Sequence, residues 1–418
     1  MPKRIAVFSD GTGQSVGCQE SNVLRLCKML DLSEQSKQVA IYDPGIGTHV
    51  GKYRLESELK VSNQMYVIDS NPKWQFLRWL RAPGELGFGV GTDANIKQLY
   101  CALIKAYNPG DQIYLFGFSR GAFTVRALAG LLYRCGLLNS NAISQIDTAW
   151  LWYQKHYAGF GESERSAYRA NVDTFRRKYS RPCDIRFLGV WDTVKSVGYI
   201  NPMNLPHTRH NPIIRTVRHA VALDECRSFY VPTTWGGVKG ESPAVYAPAS
   251  FELDATDDPP GIPQDVEEVW FPGNHLDVGG GYPANESASA SNSLRWMISA
   301  ARRCGLDVSK AKYKAIFPRE QDELVVNRHD EMTDTLFGCM AWWLIDRSPR
   351  WDLENWPRPP RTKFSHEPAG PRNLSKWIRC GMVSVHESAR SIYPEATAPW
   401  RDVPTKFIAT AENDFSTD

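Results

Sequence analysis

The stretch YLFGFSRGAFTVRALAGLL, Tyr114–Leu132, decides how the rest of the chain is read. Its first part is apolar and aromatic, as in a buried strand. Its second part carries apolar residues at helical spacing and runs toward Gly136, a residue suited to the position just past a helix. Between them stands Gly117-Phe118-Ser119-Arg120-Gly121, a G-x-S-x-G pattern. The pattern alone is common by chance, but a strand directly before it and a helix directly after it make it specific. In that setting the serine takes a sharp, strained turn, and Gly117 and Gly121 let the two backbones pass closely. The hydroxyl is then raised above a sheet at a helix N-terminus, where the N–H of Arg120 can face a developing oxyanion. A serine that only capped the helix would need neither glycine.

A serine alone is a weak nucleophile. It needs a base, and the base needs an orienting acid. In α/β-hydrolases these follow in the order Ser, acid, His, each at a strand end. IRFLGVWDTV puts Asp192 at the end of an apolar run, the expected place for the acid. VWFPGNHLDVGGGY then puts His275 after another strand and just before Gly279, Gly280 and Gly281, on a loop able to reach the nucleophile. Asp277 is a supporting acceptor, or the acid itself if Asp192 is structural. His386, in SVHESARSIY, is the best alternative base. His219 reads as part of a helical run with Arg218, and His207 and His210 flank a proline-rich loop. The loop VFSDGTGQS after the first strand is placed to complete an oxyanion hole with the N–H groups of Gly11 and Thr12, Asp10 fixing its turn. The same loop resembles half of an aspartyl-phosphate phosphatase motif, but Phe8 occupies the nucleophile position, which removes that chemistry.

Around this constellation, short apolar runs alternate with amphipathic helical patterns. The spacing predicts strands over 4–10, 38–44, 112–118, 185–192 and 267–273. Helices are expected after Ser21, after Thr92, over 120–135 and over 288–304. This is the pattern of an α/β fold, a mainly parallel sheet flanked by helices, with a catalytic domain over 1–305. Residues 45–91 and 229–265 break the period and read as lid or binding loops. Within the first, Trp74, Leu77, Arg78, Leu80 and Arg81 could form an amphipathic lid helix with basic edges. Residues 306–418 are expected to form a mostly helical extension packed on the catalytic domain. Trp342, Trp343, Trp351, Trp356, Trp377 and Trp400 there belong either to that packing or to an interfacial surface.

The net charge of +3 is too small to imply nucleic acid. Nine scattered cysteines with no C-x-x-C pair argue against a disulfide framework or a zinc site and fit a reducing compartment. No metal or organic cofactor is expected. The N-terminus enters a strand without an apolar leader, and no 18-residue apolar run occurs, so a cytoplasmic protein is expected, with export by a signal-less route left open.

The motifs FSDGTGQS, YDPGIGT, GDQIYLFGFSRGAFTVRALAGLL, FLGVWDTV, HAVALDE and WFPGNHLDVGGGY stand in an order that resembles a family of α/β-hydrolase domains. That family includes the phospholipase effectors of bacterial type VI secretion. The resemblance covers about residues 4–300. It implies an α/β-hydrolase-like fold with Ser119 as nucleophile, Asp192 as acid and His275 as base. It also implies a serine esterase of the phospholipase or lipase kind, with a lipid or ester substrate, peripheral membrane contact, and an immunity or secretion partner. An esterase or thioesterase acting on a soluble substrate, and a catalytically silent hydrolase fold acting as an interaction protein, are the alternatives.

Overall fold

The computed structural model describes residues 2–11, 19–45, 65–68, 92–155, 160–194, 205–227, 230–235, 245–247, 261–317, 326, 328–329, 350–351, 362–363, 372, 374 and 382–410. Its centre is a nine-stranded sheet. The strands are β1 (Arg4–Ser9), β2 (Gln38–Asp43), β3 (Met65–Val67), β4 (Gln112–Phe118), β5 (Ile185–Trp191), β6 (Ile214–Ala222), β7 (Asp265–Phe271), β8 (Val383–His386) and β9 (Thr405–Ile408). Their order across the sheet is β9-β8-β7-β6-β5-β4-β1-β2-β3, and every neighbouring pair is parallel. The helices used below are α1 (Asn22–Met29), α2 (Thr92–Ala106), α3 (Arg120–Cys135), α4 (Ile146–Gln154), α5 (Glu162–Tyr179), α6 (His275–Gly279), α7 (Ala288–Arg303) and α8 (Lys310–Ile316).

The period of two along a strand decides which helices cover which face. In β1, Ile5 and Val7 face a core built with α2, α3 and α4. Ala6 and Phe8 face a second core built with α1 and α7. β2 and β4 divide in the same way, Val39, Ile41, Ile113 and Leu115 against Ala40, Tyr42, Tyr114 and Phe116. Strands buried on both faces read as continuous apolar runs, which is why they were legible. Each fully buried Leu or Phe contributes roughly 1.5–3 kcal/mol. Helix α3 is buried nearly all round, including Arg126 and Arg134. Among the described residues no helix is long and apolar enough to cross a membrane.

Two features differ from the sequence expectation. The run around His219 is β6, a central strand whose Arg215, Arg218 and His219 obscure its apolar pattern. The stretch beyond 305, expected to be mostly helical, contributes at its described residues α8 and also β8 and β9, which extend the sheet from β7. Trp400 packs there with Tyr393 and Phe407 in a small third core under that edge, as ordinary packing requires. Trp342, Trp343, Trp356 and Trp377, and the lid residues from Trp74 to Arg81, lie outside the described residues.

In this order the chain leaves β1 toward one edge and β4 toward the other. The β1–β4 boundary is therefore a topological switch point, where a crevice opens outside the carboxyl ends of the strands. Ser119 follows β4 and Asp10 follows β1, so both candidate elements stand at its mouth.

Candidate active site

Among the described non-glycine residues, positive φ occurs at Ser119 (55°), Asp192 (32°) and His207 (58°). Each such residue carries about 1–3 kcal/mol of backbone strain, which tertiary structure must hold in place. Two of the three are the predicted nucleophile and acid. At Ser119 the strain makes the elbow. Its N–H donates to Trp191 O (3.1 Å), its carbonyl accepts from Phe123 N (3.3 Å), and its side chain makes no capping bond to α3. Ser119 thus stands at the N-cap position without capping the helix through its hydroxyl. The flanking glycines are required by close approach. A Cβ on Gly117 would lie 2.6 Å from Gly121 O, and one on Gly121 would lie 2.0 Å from Ser9 O.

Asp192 ends β5, the strand next to β4, and is fully buried. Its N–H donates to Ala220 O (2.7 Å), and Ala222 N donates to its Oδ1 (3.0 Å). His275 opens α6 just after β7. Its Nδ1 lies 2.7 Å from Asp192 Oδ2. Because an ionised carboxylate only accepts, Nδ1 carries the proton and Nε2 is left as the basic nitrogen. The ring is walled by Phe118, beside Ser119, at 4.6 Å between centroids, and by the edge of Tyr230 at 4.7 Å. Burial pushes the His275 imidazole below its ordinary value, against the opposing pull of Asp192. Burial alone would raise the Asp192 carboxyl, but the Arg372 guanidinium and His275 together hold it well below the usual carboxylate range.

Asp277 serves the loop rather than the base. Its Oδ2 accepts from Asn274 N (3.0 Å) and His329 N (3.0 Å), and its Oδ1 meets His329 Nδ1 at 2.7 Å. The reciprocal cap is Asn274 Oδ1, which accepts from Leu276 N and Asp277 N. His386 sits at the end of β8. Both its ring nitrogens contact hydroxyls, Ser388 Oγ (2.8 Å) and Thr410 Oγ1 (2.9 Å), and desolvation pushes it down to about 4. Among the described residues it has no carboxylate partner of the kind His275 has.

On the β1 side, Asp10 is a buried acceptor at the end of the strand. It accepts from Ser21 Oγ (2.5 Å), Tyr42 Oη (2.8 Å) and Gly11 N (2.7 Å), and burial raises it to about 6 despite these donors. One expectation changes as a result. The N–H of Gly11, read as an oxyanion donor, is directed at the Asp10 carboxylate, because a buried acceptor must be satisfied. Thr12 lies outside the described residues. The N–H of Arg120 belongs to the first turn of α3, whose amides have no intrahelical acceptor.

A description of type VI secretion phospholipase effectors, the Tle1-like catalytic domain, matches residues 3–300. The chain belongs to this family. An uncharacterized protein of Saccharomyces cerevisiae is 32% identical over 257 residues, 60% of this chain and 34% of that protein. A crystal structure of an uncharacterized Pseudomonas aeruginosa protein aligns at 18% identity with a TM-score of 0.39, covering 84% of this chain and 51% of that one. The chain thus spans about a third and about a half of the lengths of these two relatives.

The effector-family match ends before His329, Arg372 and His386. Several supporting residues escaped sequence reading. In HAVALDE, a motif to which no individual roles were given, Glu225 Oε2 accepts from His275 N (3.2 Å) and pairs with Arg227 (2.7 Å). Asp224 Oδ2 accepts from Gly273 N (2.6 Å), bracing the same loop. His219 forms a buried relay. Its Nε2 accepts from Thr193 N (3.2 Å), its Nδ1 meets Glu268 Oε1 (2.7 Å), and Arg126 Nη2 lies 3.3 Å from Nδ1. The relay joins the elbow helix, the strand end bearing Asp192, and β7. A His219→Phe variant would leave the Thr193 amide without its acceptor and take one partner from Glu268, which still accepts from Trp235 N. It is expected to lose about 1–3 kcal/mol of stability, read from urea unfolding midpoints.

Proposed function

We propose that the protein is a serine hydrolase that cleaves carboxylic esters of lipids, phospholipids foremost, through an acyl-enzyme. The observation that carries this reading is the 2.7 Å contact between His275 Nδ1 and Asp192 Oδ2, beside a serine held at φ 55° between β4 and α3. In the proposed cycle Ser119 Oγ attacks the ester carbonyl while His275 Nε2 takes its proton. The tetrahedral oxyanion is met by the Arg120 N–H and the dipole of α3, with Thr12 as the second proposed donor. Asp192 holds the tautomer and stabilises the imidazolium. His275 then protonates the departing alcohol, and the reverse proton path activates water to release the acid. Membership of the phospholipase-effector family supports the lipid class of substrate. The domain division at about 305, peripheral membrane contact and an immunity or secretion partner belong to the same proposal.

The test is intact-mass labelling with a fluorophosphonate, wild type beside Ser119→Ala and His275→Ala. One adduct on the wild type, absent from Ser119→Ala and slowed at least about a thousandfold in His275→Ala, is the expected result. An unlabelled wild type sinks the serine-hydrolase reading in favour of an interaction protein. Release of fatty acid from phosphatidylglycerol vesicles, compared with turnover of a soluble p-nitrophenyl ester, separates a lipase from a soluble esterase.

A further inference from the structure

We infer that Arg372, carried in by the segment beyond the family domain, is a positioning residue that clamps Asp192 and thereby sets both the aim and the basicity of His275. This rests on the Ser119–His275–Asp192 reading proposed above. Arg372 Nη1 lies 2.6 Å from Asp192 Oδ1, and Nη2 lies 3.1 Å from Oδ2. The fork thus engages both carboxylate oxygens, an arrangement that fixes orientation as well as charge. The acid is fully buried and the arginine side chain is only 7% exposed, so water screens the pair weakly. The same guanidinium donates to Ala222 O (2.7 Å) and to Tyr230 O. Ala222 N in turn donates to Asp192 Oδ1, and the Tyr230 ring flanks His275. One side chain therefore ties together the acid, the end of β6 and the aromatic wall of the base.

The electrostatic consequence follows from charge count. A lone buried carboxylate beside an imidazole would raise its basicity strongly. Here the arginine offsets that charge, so His275 gains a fixed acceptor without the full pull of an anion. Among the described residues, the groups facing His275 are Asp192, Glu225, Arg227, Arg372 and Tyr230, with Phe118 on the elbow side. Glu225 and Arg227 pair with each other at 2.7–2.8 Å, so their fields largely cancel at the ring. Asp192 and Arg372 form the second such pair. His275 then stays neutral, and competent as a base, into mildly acidic solution.

The experiment is the pH dependence of kcat/KM on a soluble p-nitrophenyl ester for wild type, Arg372→Gln and Arg372→Lys, with fluorophosphonate labelling and thermal unfolding of each. Removing the positive charge leaves an uncompensated anion beside His275. The acid limb of Arg372→Gln is therefore expected to move upward by about one pH unit, with kcat down about tenfold and KM nearly unchanged. Arg372→Lys keeps the charge and loses the fork, so its limb stays with the wild type while kcat falls several-fold. A folded Arg372→Gln whose limb coincides with the wild type, whatever its rate, overturns the inference and leaves Arg372 a structural brace. If Arg372→Gln does not fold, Arg372→Lys decides: wild-type kcat in that variant overturns the proposed aiming role. Failure of the wild type to label at Ser119 removes the hydrolase reading and this inference with it, an outcome distinct from labelling with an unshifted limb.

Discussion

Asp192→Asn is expected to lower kcat about ten-thousandfold, with KM for a soluble ester changed little. The carboxylate now receives the Nδ1 proton of His275 at 2.7 Å, which leaves Nε2 as the acceptor that the proposed cycle requires. An amide in its place can present an NH2 to the ring. That favours the opposite tautomer, with the proton on Nε2, and the base is lost while the ring stays in position. Stability is expected to fall too, by about 3 kcal/mol, because Arg372 would keep its buried charge and lose its counter-ion while the Ala222 and Tyr230 carbonyls still accept from it. The two effects separate by measurement: single-turnover acylation reports the tautomer, urea unfolding reports the stranded arginine. Asp277→Asn is the control. Asp277 holds Asn274 and His329, so its loss loosens the loop without inverting the tautomer. A ten-thousandfold loss in Asp277→Asn, with a small one in Asp192→Asn, would reverse the assignment of the acid.

Gly121→Ala is expected to remove the folded state or to cost more than about 4 kcal/mol, an effect beyond the ordinary range of point substitutions. The added Cβ would stand 2.0 Å from Ser9 O, 2.5 Å from Ser9 C and 2.6 Å from Asp10 O. All three are backbone atoms of β1 and its turn, so no rotamer change can relieve the clash. The whole elbow helix would have to back away from the sheet at the point where the nucleophile and the β1 loop meet. Gly110→Ala is the comparison. Nothing lies within 4 Å of its added Cβ, and only its φ of 92° is unfavourable, so a loss of about 1 kcal/mol is expected. Equal unfolding midpoints for the two variants would disprove the close-approach argument.

The strand, elbow and helix of 112–135 were legible because local chemistry and tertiary role agree there. The apolar run is a doubly covered central strand, and the glycines are where two backbones touch. The ends of the strands that precede Asp192 and His275 were legible because turn residues mark them. β6 was not, since its Arg218 and His219 are satisfied by partners distant in sequence: Asp265 for the arginine, and Glu268 and the Thr193 amide for the histidine. No local pattern announces such pairings. Four-residue β8 is too short to establish a period and becomes a strand only because β7 offers its edge. Arg372 carried no signal either. Its meaning lies entirely in reaching Asp192, which stands far upstream.

The purely parallel ladder has a consequence in time. Parallel neighbours cannot be closed by tight hairpins, so each pairing waits for a long intervening stretch, and such topologies fold slowly. The pairing of Val269 with Ser384 must wait for the whole stretch between them. Arg372 leaves the ribosome only shortly before that strand. A nascent chain can therefore hold Ser119, Asp192 and His275 while Arg372, which bonds Asp192, has yet to be synthesised. For a hydrolase of the proposed kind, the order of synthesis delays the bracing of the acid until residues beyond the family domain have emerged.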